Sequence, residues 1–152
     1  MKATDVVLTV GNSLMGDDGA GPLLAEIIER EPVPGWVVID GGAMPENVIR
    51  HVRALAPRRV LIVDAAEIGV APGGLRFVEK EQIAEMFAMS THNMPLSFIM
   101  DELERDVEDV VFLGVQPEAV EFCRPISEAV RQAVRRIHKG LAQGLSDIPW
   151  LA

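Results

Sequence analysis

The stretch that decides the fold is residues 5–29, DVVLTVGNSLMGDDGAGPLLAEIIE. Val6-Val7-Leu8-Thr9-Val10 reads as an apolar strand, residues 11–21 (GNSLMGDDGAG) as a glycine loop, and residues 22–29 (PLLAEIIE) as a helix. A strand, a glycine loop and a helix in that order is the setting in which α/β proteins hold phosphate. The spacing of Gly11 and Gly16 even matches the start of a phosphate loop, which continues with Lys and then Ser or Thr. This chain continues with Asp17-Asp18. Two carboxylates repel phosphate and attract a metal or a basic group. The glycines are expected to let a substrate backbone and its metal come close.

Outward from this loop the pattern alternates. Strand-like runs fall at residues 5–10, 36–39, 59–63, 75–78 and 109–115, and helix-like runs at 19–30, 45–55, 80–87, 95–104 and 126–140. In the last of these Ile126, Ala129, Val130, Ala133, Val134, Ile137 and Leu141 recur at three- and four-residue spacing, one apolar face on an otherwise charged helix. Such alternation predicts an α/β three-layer sandwich: a twisted, mostly parallel sheet of about five strands with helices on both faces, in the manner of phosphorylase/hydrolase-like folds. The run at 75–78 follows its predecessor through a short loop without a helix, so it is the expected antiparallel member. No repeat or linker divides the chain, and residues 1–152 read as a single domain. The tail, residues 146–152, is expected to pack loosely through Ile148, Trp150 and Leu151.

The composition narrows the function. Hydrophobic residues at 49% exclude a disordered chain, and a net charge of -9 speaks against nucleic acid and anionic membrane surfaces as partners. The single cysteine, Cys123, excludes an internal disulfide and a cysteine-based zinc site, and is expected to be a small buried apolar residue. No signal peptide or spanning segment is visible, which makes the expected location cytoplasmic.

Asp18 follows the first strand, Asp40 the second and Asp64 the third, and His92 sits in residues 90–95 (STHNMP) just before a helix. In an open α/β sheet, ligands bind beyond the carboxyl ends of the strands, where these residues fall. Each alone has a plainer reading: helix capping for Asp17 or Asp18, turn shaping for Asp40 before Gly41-Gly42, capping for Asp64, and a loop hydrogen bond for His92. Asp17 stays undecided between capping the first helix and adding negative potential. Carboxylates gathered without a nearby lysine are costly, and a bound cation relieves that cost. Asp18, Asp64 and His92 offer two oxygens and one nitrogen, a set suited to zinc or nickel rather than calcium, with positions left open for water or substrate. His51 and His138 read as surface residues.

At these residues the chain resembles the nickel-iron hydrogenase maturation endopeptidases. The resemblance is carried by residues 11–21, by Ile39-Asp40-Gly41-Gly42, by Leu61-Ile62-Val63-Asp64-Ala65 and by Thr91-His92-Asn93. Pro45-Glu46-Asn47, residues 92–96 (HNMPL) and residues 112–117 (FLGVQP) draw it toward the members that process the large subunit of the formate-hydrogenlyase hydrogenase, hydrogenase 3. The resemblance implies a cytoplasmic, monomeric endopeptidase of aspartic or metal-dependent type. Its substrate is the hydrogenase large-subunit precursor, whose C-terminal extension is removed after nickel insertion, with the cut after an Arg. The nickel is carried mainly by the substrate, and zinc or another divalent ion substitutes for it. The resemblance assigns Asp18, Asp64 and His92 to the metal, and Asp40 joins them as a catalytic residue tied to cleavage and substrate recognition. Asp18 stands where the family often has Glu, and Ala43 where many members have Thr or Ser. Two other readings remain open: a non-catalytic nickel-binding chaperone, and a receiver-type phosphoacceptor domain. The latter lacks the Lys that a receiver needs after its last strand, where this chain has Gln116-Pro117.

Overall fold

The computed structural model describes residues 4–86 and 96–152. It contains a five-stranded sheet in the order β2-β1-β3-β5-β4, formed by β1 (Asp5–Thr9), β2 (Trp36–Asp40), β3 (Arg59–Ala65), β4 (Leu75–Val78) and β5 (Asp109–Val115). β1 pairs in parallel with β2 and β3, and β3 in parallel with β5. β4 runs antiparallel to β5, as the missing crossover helix requires. The architecture is the expected α/β sandwich.

Period-two alternation builds its two cores. Val6, Leu8, Val60, Ile62 and Phe112 face one layer of helices, α2 (Ile49–Ala54), α3 (Lys80–Met86) and α4 (Leu96–Glu104). Val7, Leu61, Val63, Leu113 and Val115 face the other layer, α1 (Ala20–Arg30) and α5 (Glu128–Leu141). Central strands buried on both sides read as continuous apolar runs of strand length, as β1, β3 and β5 do. Short 3-10 turns at Gly16–Gly19 and Pro45–Val48 precede α1 and α2, so the two expected helices begin as tighter turns. α5 starts later than its apolar pattern, because the Ser127 hydroxyl accepts from the Val130 amide at 3.4 Å and caps it.

The chain runs from β1 to β2 on one side and then crosses to β3 on the other side of β1. That reversal puts the switch in strand order between β1 and β3, whose carboxyl ends are the usual ligand position in such sheets.

Two expectations change. Cys123 is exposed with a left-handed backbone (φ 61), because it lies in the irregular segment between β5 and α5, where no element covers it. The tail is pinned, not loose: the Phe77 amide donates to the Pro149 carbonyl at 3.0 Å, and the Leu151 amide donates to the Phe77 carbonyl at 2.8 Å. The Trp150 ring sits 5.4 Å from that of Phe77, and together these contacts cover the outer edge of β4. Among the described residues no helix is long and apolar enough to cross a membrane.

Candidate active site

Asp64 is the penultimate residue of β3, opposite Gly114 of β5, and is 1% exposed. It shares the sheet face of Val60 and Ile62. Among the described residues neither of its carboxylate oxygens has a hydrogen-bond partner. Burial pushes the Asp64 carboxyl well above the usual carboxylate range, and the neighbouring Asp18 charge adds to the shift; the Ala65 amide opposes it only in part. Asp18 reaches this position from the loop after β1, half-buried, with the Asn12 amide donating to its Oδ2 at 2.9 Å. The strand order explains the meeting: β1 and β3 are neighbours, so the loop after one overlies the carboxyl end of the other.

Asp40 ends β2 and is exposed. Its Oδ1 accepts from the Thr9 hydroxyl at 3.1 Å and from the Gly42 amide at 2.9 Å. By strand alternation it lies on the face of Trp36 and Val38, opposite to that of Asp64. All three acids are thus at the carboxyl edge, but the electrostatic coupling joins Asp18 and Asp64. Among the described residues no three His, Cys, Asp or Glu side chains form a set that holds a metal. His92 lies outside the described residues; it precedes α4, the helix on the Asp64 face.

Asp17 resolves into a role that local sequence did not offer. It is 1% exposed and caps neither α1 nor the turn before it. Its Oδ2 accepts from the Glu118 amide at 2.7 Å, the Ala119 amide at 3.2 Å and the Ser127 hydroxyl at 2.9 Å, and its Oδ1 from the Ser127 amide at 2.7 Å. Burial raises its carboxyl, but the donors from Ser127, Glu118 and Ala119 outweigh this and hold it below the ordinary value. Asp17 therefore ties the glycine loop to the segment entering α5, while Asp18 faces Asp64.

Two of the glycines let the loop close on itself. A Cβ on Gly11 (φ +143) would stand 2.0 Å from the Asp18 carbonyl oxygen, and one on Gly21 would stand 2.3 Å from the Val10 carbonyl oxygen. The loop is folded so tightly on β1 that no side chain fits.

Gln116 is a buried polar residue at this edge with a structural role. It is 4% exposed; its Oε1 accepts from the Ile68 amide at 2.8 Å and its Nε2 donates to Glu67 Oε1 at 2.9 Å. It fixes the segment after β3 against the end of β5. A polar residue ending an apolar strand was the available signal. Of the two remaining histidines, His51 is exposed, and His138 Nε2 lies 2.8 Å from the Glu31 carbonyl oxygen, joining the ends of α5 and α1.

A buried carboxyl beside a second, half-buried one can act in two ways. The two carboxyls share a proton; or a cation enters and both become ligands. A buried carboxyl with neither oxygen in a well-formed hydrogen bond, beside a second carboxylate, suits a cation.

Comparison with known proteins decides the family. Residues 22–143 match the family model HycI, hydrogenase maturation protease. The chain belongs to the hydrogenase maturation protease family. This member is 52% identical over 138 residues to the hydrogenase 3 maturation protease of Escherichia coli strain K12, covering 91% of this chain and 88% of that one. Its fold is similar to the solution structure of the endopeptidase HycI from Escherichia coli, with TM-score 0.91, 49% identity, and 98% and 97% of the two chains covered. A [NiFe] hydrogenase maturation protease HycI from Thermococcus kodakarensis KOD1 superposes with TM-score 0.81 at 26% identity, over 93% and 92% of the chains. The maturation protease is thus an endopeptidase on an α/β scaffold, with its carboxylate pair at the switch in strand order.

Proposed function

We propose that this protein removes the C-terminal extension of the hydrogenase 3 large-subunit precursor after nickel insertion, cutting after an Arg. The observation that carries the reading is Asp64, buried without hydrogen-bond donors among the described residues and coupled to Asp18. Such a pair is unfavourable in the empty enzyme and is relieved when a substrate brings a cation. The nickel arrives with the precursor as cargo; Asp18, Asp64 and His92 are the residues that would meet it, and zinc or another divalent ion would substitute. The bound ion supplies a Lewis acid to the scissile carbonyl or lowers the pKa of water. Asp18 and Asp64 neutralise its charge and orient it. Asp40, exposed at the same edge and anchored by Thr9 and Gly42, keeps one oxygen free of those two bonds to take a proton from attacking water or to meet the Arg at the cut.

Leu14 at 58% exposure and Phe122 at 70% exposure stand on loops at this edge, with Met44 and Val120 also exposed. The Cys123 amide donates to the Leu14 carbonyl at 2.8 Å, so the two loops form one apolar rim. A rim of this kind suits docking of a folded protein.

The test pairs the purified protein with precursor, with and without nickel, and follows precursor mass. Shortening of the nickel-loaded form alone is expected. Equal cleavage of the nickel-free form would refute gating by the metal, and full activity in Asp18→Ala or His92→Ala would refute the site. A precursor that binds but never changes length would make the protein a chaperone.

A further inference from the structure

The acid edge is not the only charged feature. A cleft of about 490 Å³ lies between α1 and α5, floored by Leu23 and Ile27 and walled by Arg30, Arg131, Arg135 and Lys139. Four of the chain's 14 Lys and Arg residues thus line one cleft, on a chain with 23 Asp and Glu. Glu31 is the one acid among its lining residues.

Two observations separate this cleft from an ordinary solvated helix face. The first is ion pairing. Arg53, Arg58, Arg59, Lys80, Arg105 and Arg136 each meet a carboxylate elsewhere on the surface. Arg30 has only a 3.8 Å contact with Glu26, and Arg131, Arg135 and Lys139 have no ion pair among the described residues; Arg50 and Arg76 also lack one, but only the cleft gathers several such cations along one lining. The second is position along the helix. Cations in the last turn complement the helix dipole, which accounts for Arg30 and Lys139. Arg131 sits in the first turn of α5 and Arg135 in its middle, where the dipole opposes a cation or is indifferent to it. Local helix electrostatics leaves these two unexplained.

Orientation gives the cleft its use. Asp17 and Asp18 lead into α1, and Ser127, bonded to Asp17, caps α5, so both helices start at the acid edge. The cleft runs from behind that edge toward the far end of the sheet. We propose that it docks an acidic segment of the protein substrate, with apolar side chains resting on Leu23 and Ile27. This rests on the protease reading above. The negative edge and the positive cleft then orient a partner one way, its basic cut site at Asp40 beside the Asp18–Asp64 pair, and its acidic stretch along α5. The apolar floor favours a peptide over an inorganic anion.

The experiment measures shortening of nickel-loaded precursor by the wild type, by Arg131→Glu/Arg135→Glu and by Arg131→Gln/Arg135→Gln. Arg50→Glu/Arg105→Glu, in the opposite helix layer, is the control for net charge. Circular dichroism verifies folding of each. Binding to immobilised precursor is read in parallel at about 50 and about 300 mM NaCl. The Glu pair is expected to raise KM by about tenfold or more with kcat held, the Gln pair less, and the control pair little. Salt weakens wild-type binding more than binding of the Gln pair. Short poly-glutamate raises the wild-type KM, and inorganic phosphate at equal ionic strength does not. Indifference of KM and binding to both cleft pairs overturns the proposal, as does an equal effect of the control pair or equal competition by phosphate. If the wild type binds precursor through the cleft but never shortens it, the protease reading fails and the cleft stands. Normal cleavage with no cleft dependence leaves the reverse.

Discussion

Asp64 and Asp17 are both buried carboxylates, and their surroundings give them opposite characters. Asp64 is buried with a like charge beside it, offset only in part by the Ala65 amide, so its folded pKa is raised. Its contribution to stability is fully present below the unfolded pKa of about 3.9 and is lost as pH rises through the folded value. In the metal-free protein, Asp64→Asn is expected to be more stable than the wild type by about 1–3 kcal/mol at pH 7, with the gain vanishing near pH 4. Urea titrations at the two pH values measure this; a destabilised variant at pH 7 would show that Asp64 is compensated. The same substitution should abolish cleavage. Asp17, with four donors, has a lowered pKa, so its contribution is present above about 3.9 and is lost as pH falls through the folded value. Asp17→Asn replaces an accepting oxygen by an amide and strands buried donors, a loss of about 2–4 kcal/mol at pH 7. A loss below about 0.5 kcal/mol would mean those bonds contribute little.

At the scale of elements, the glycine loop and the start of α5 behave as one unit. Gly21 lets α1 lie directly on β1. Alanine there gains about 1 kcal/mol of helix propensity, but its Cβ meets the Val10 carbonyl oxygen at 2.3 Å. The overpacking cost is the larger effect, and Gly21→Ala is expected to lose about 2–3 kcal/mol net. Thermal unfolding decides the sign: a raised Tm would mean that α1 shifts away without cost. Ser127 both caps α5 and donates to Asp17, so Ser127→Ala is expected to lose about 1–2 kcal/mol. In a double-mutant cycle with Asp17→Asn the two losses should add to less than their sum, because they share a bond. Strict additivity would separate them.

For the whole molecule, charge has two levels. The net charge of -9 makes the folded chain repel itself, while the cleft between α1 and α5 concentrates cations on one side. Screening should relieve the first effect. Tm at pH 7 is expected to rise by about 2–5 °C from about 20 to about 200 mM NaCl. A fall would mean that ion pairs such as Arg59 with Asp109 outweigh the repulsion.

What local sequence determined was everything encoded between near neighbours. Apolar runs of strand length, the three- and four-residue spacing of α5, and glycines around an Asp pair were enough for an α/β sheet with Asp18, Asp40 and Asp64 at its carboxyl edge. The short loop before Leu75 was enough to make β4 antiparallel. Tertiary structure alone decided which acids meet. Asp64 is coupled to Asp18 because β3 lies beside β1, and strand order is a long-range choice that no window of residues carries. Asp17 stays undecided in the sequence between a helix cap and a source of negative potential because its partners, Glu118, Ala119 and Ser127, are about a hundred residues away in the chain. Cys123, expected to be buried, is exposed for a related reason: burial depends on what packs above a residue, not on its type. The basic cleft, too, exists only because α1 and α5 pack side by side. Periodicity is a local property of the chain, whereas desolvation and charge coupling depend on which distant segments the fold brings within a few ångströms.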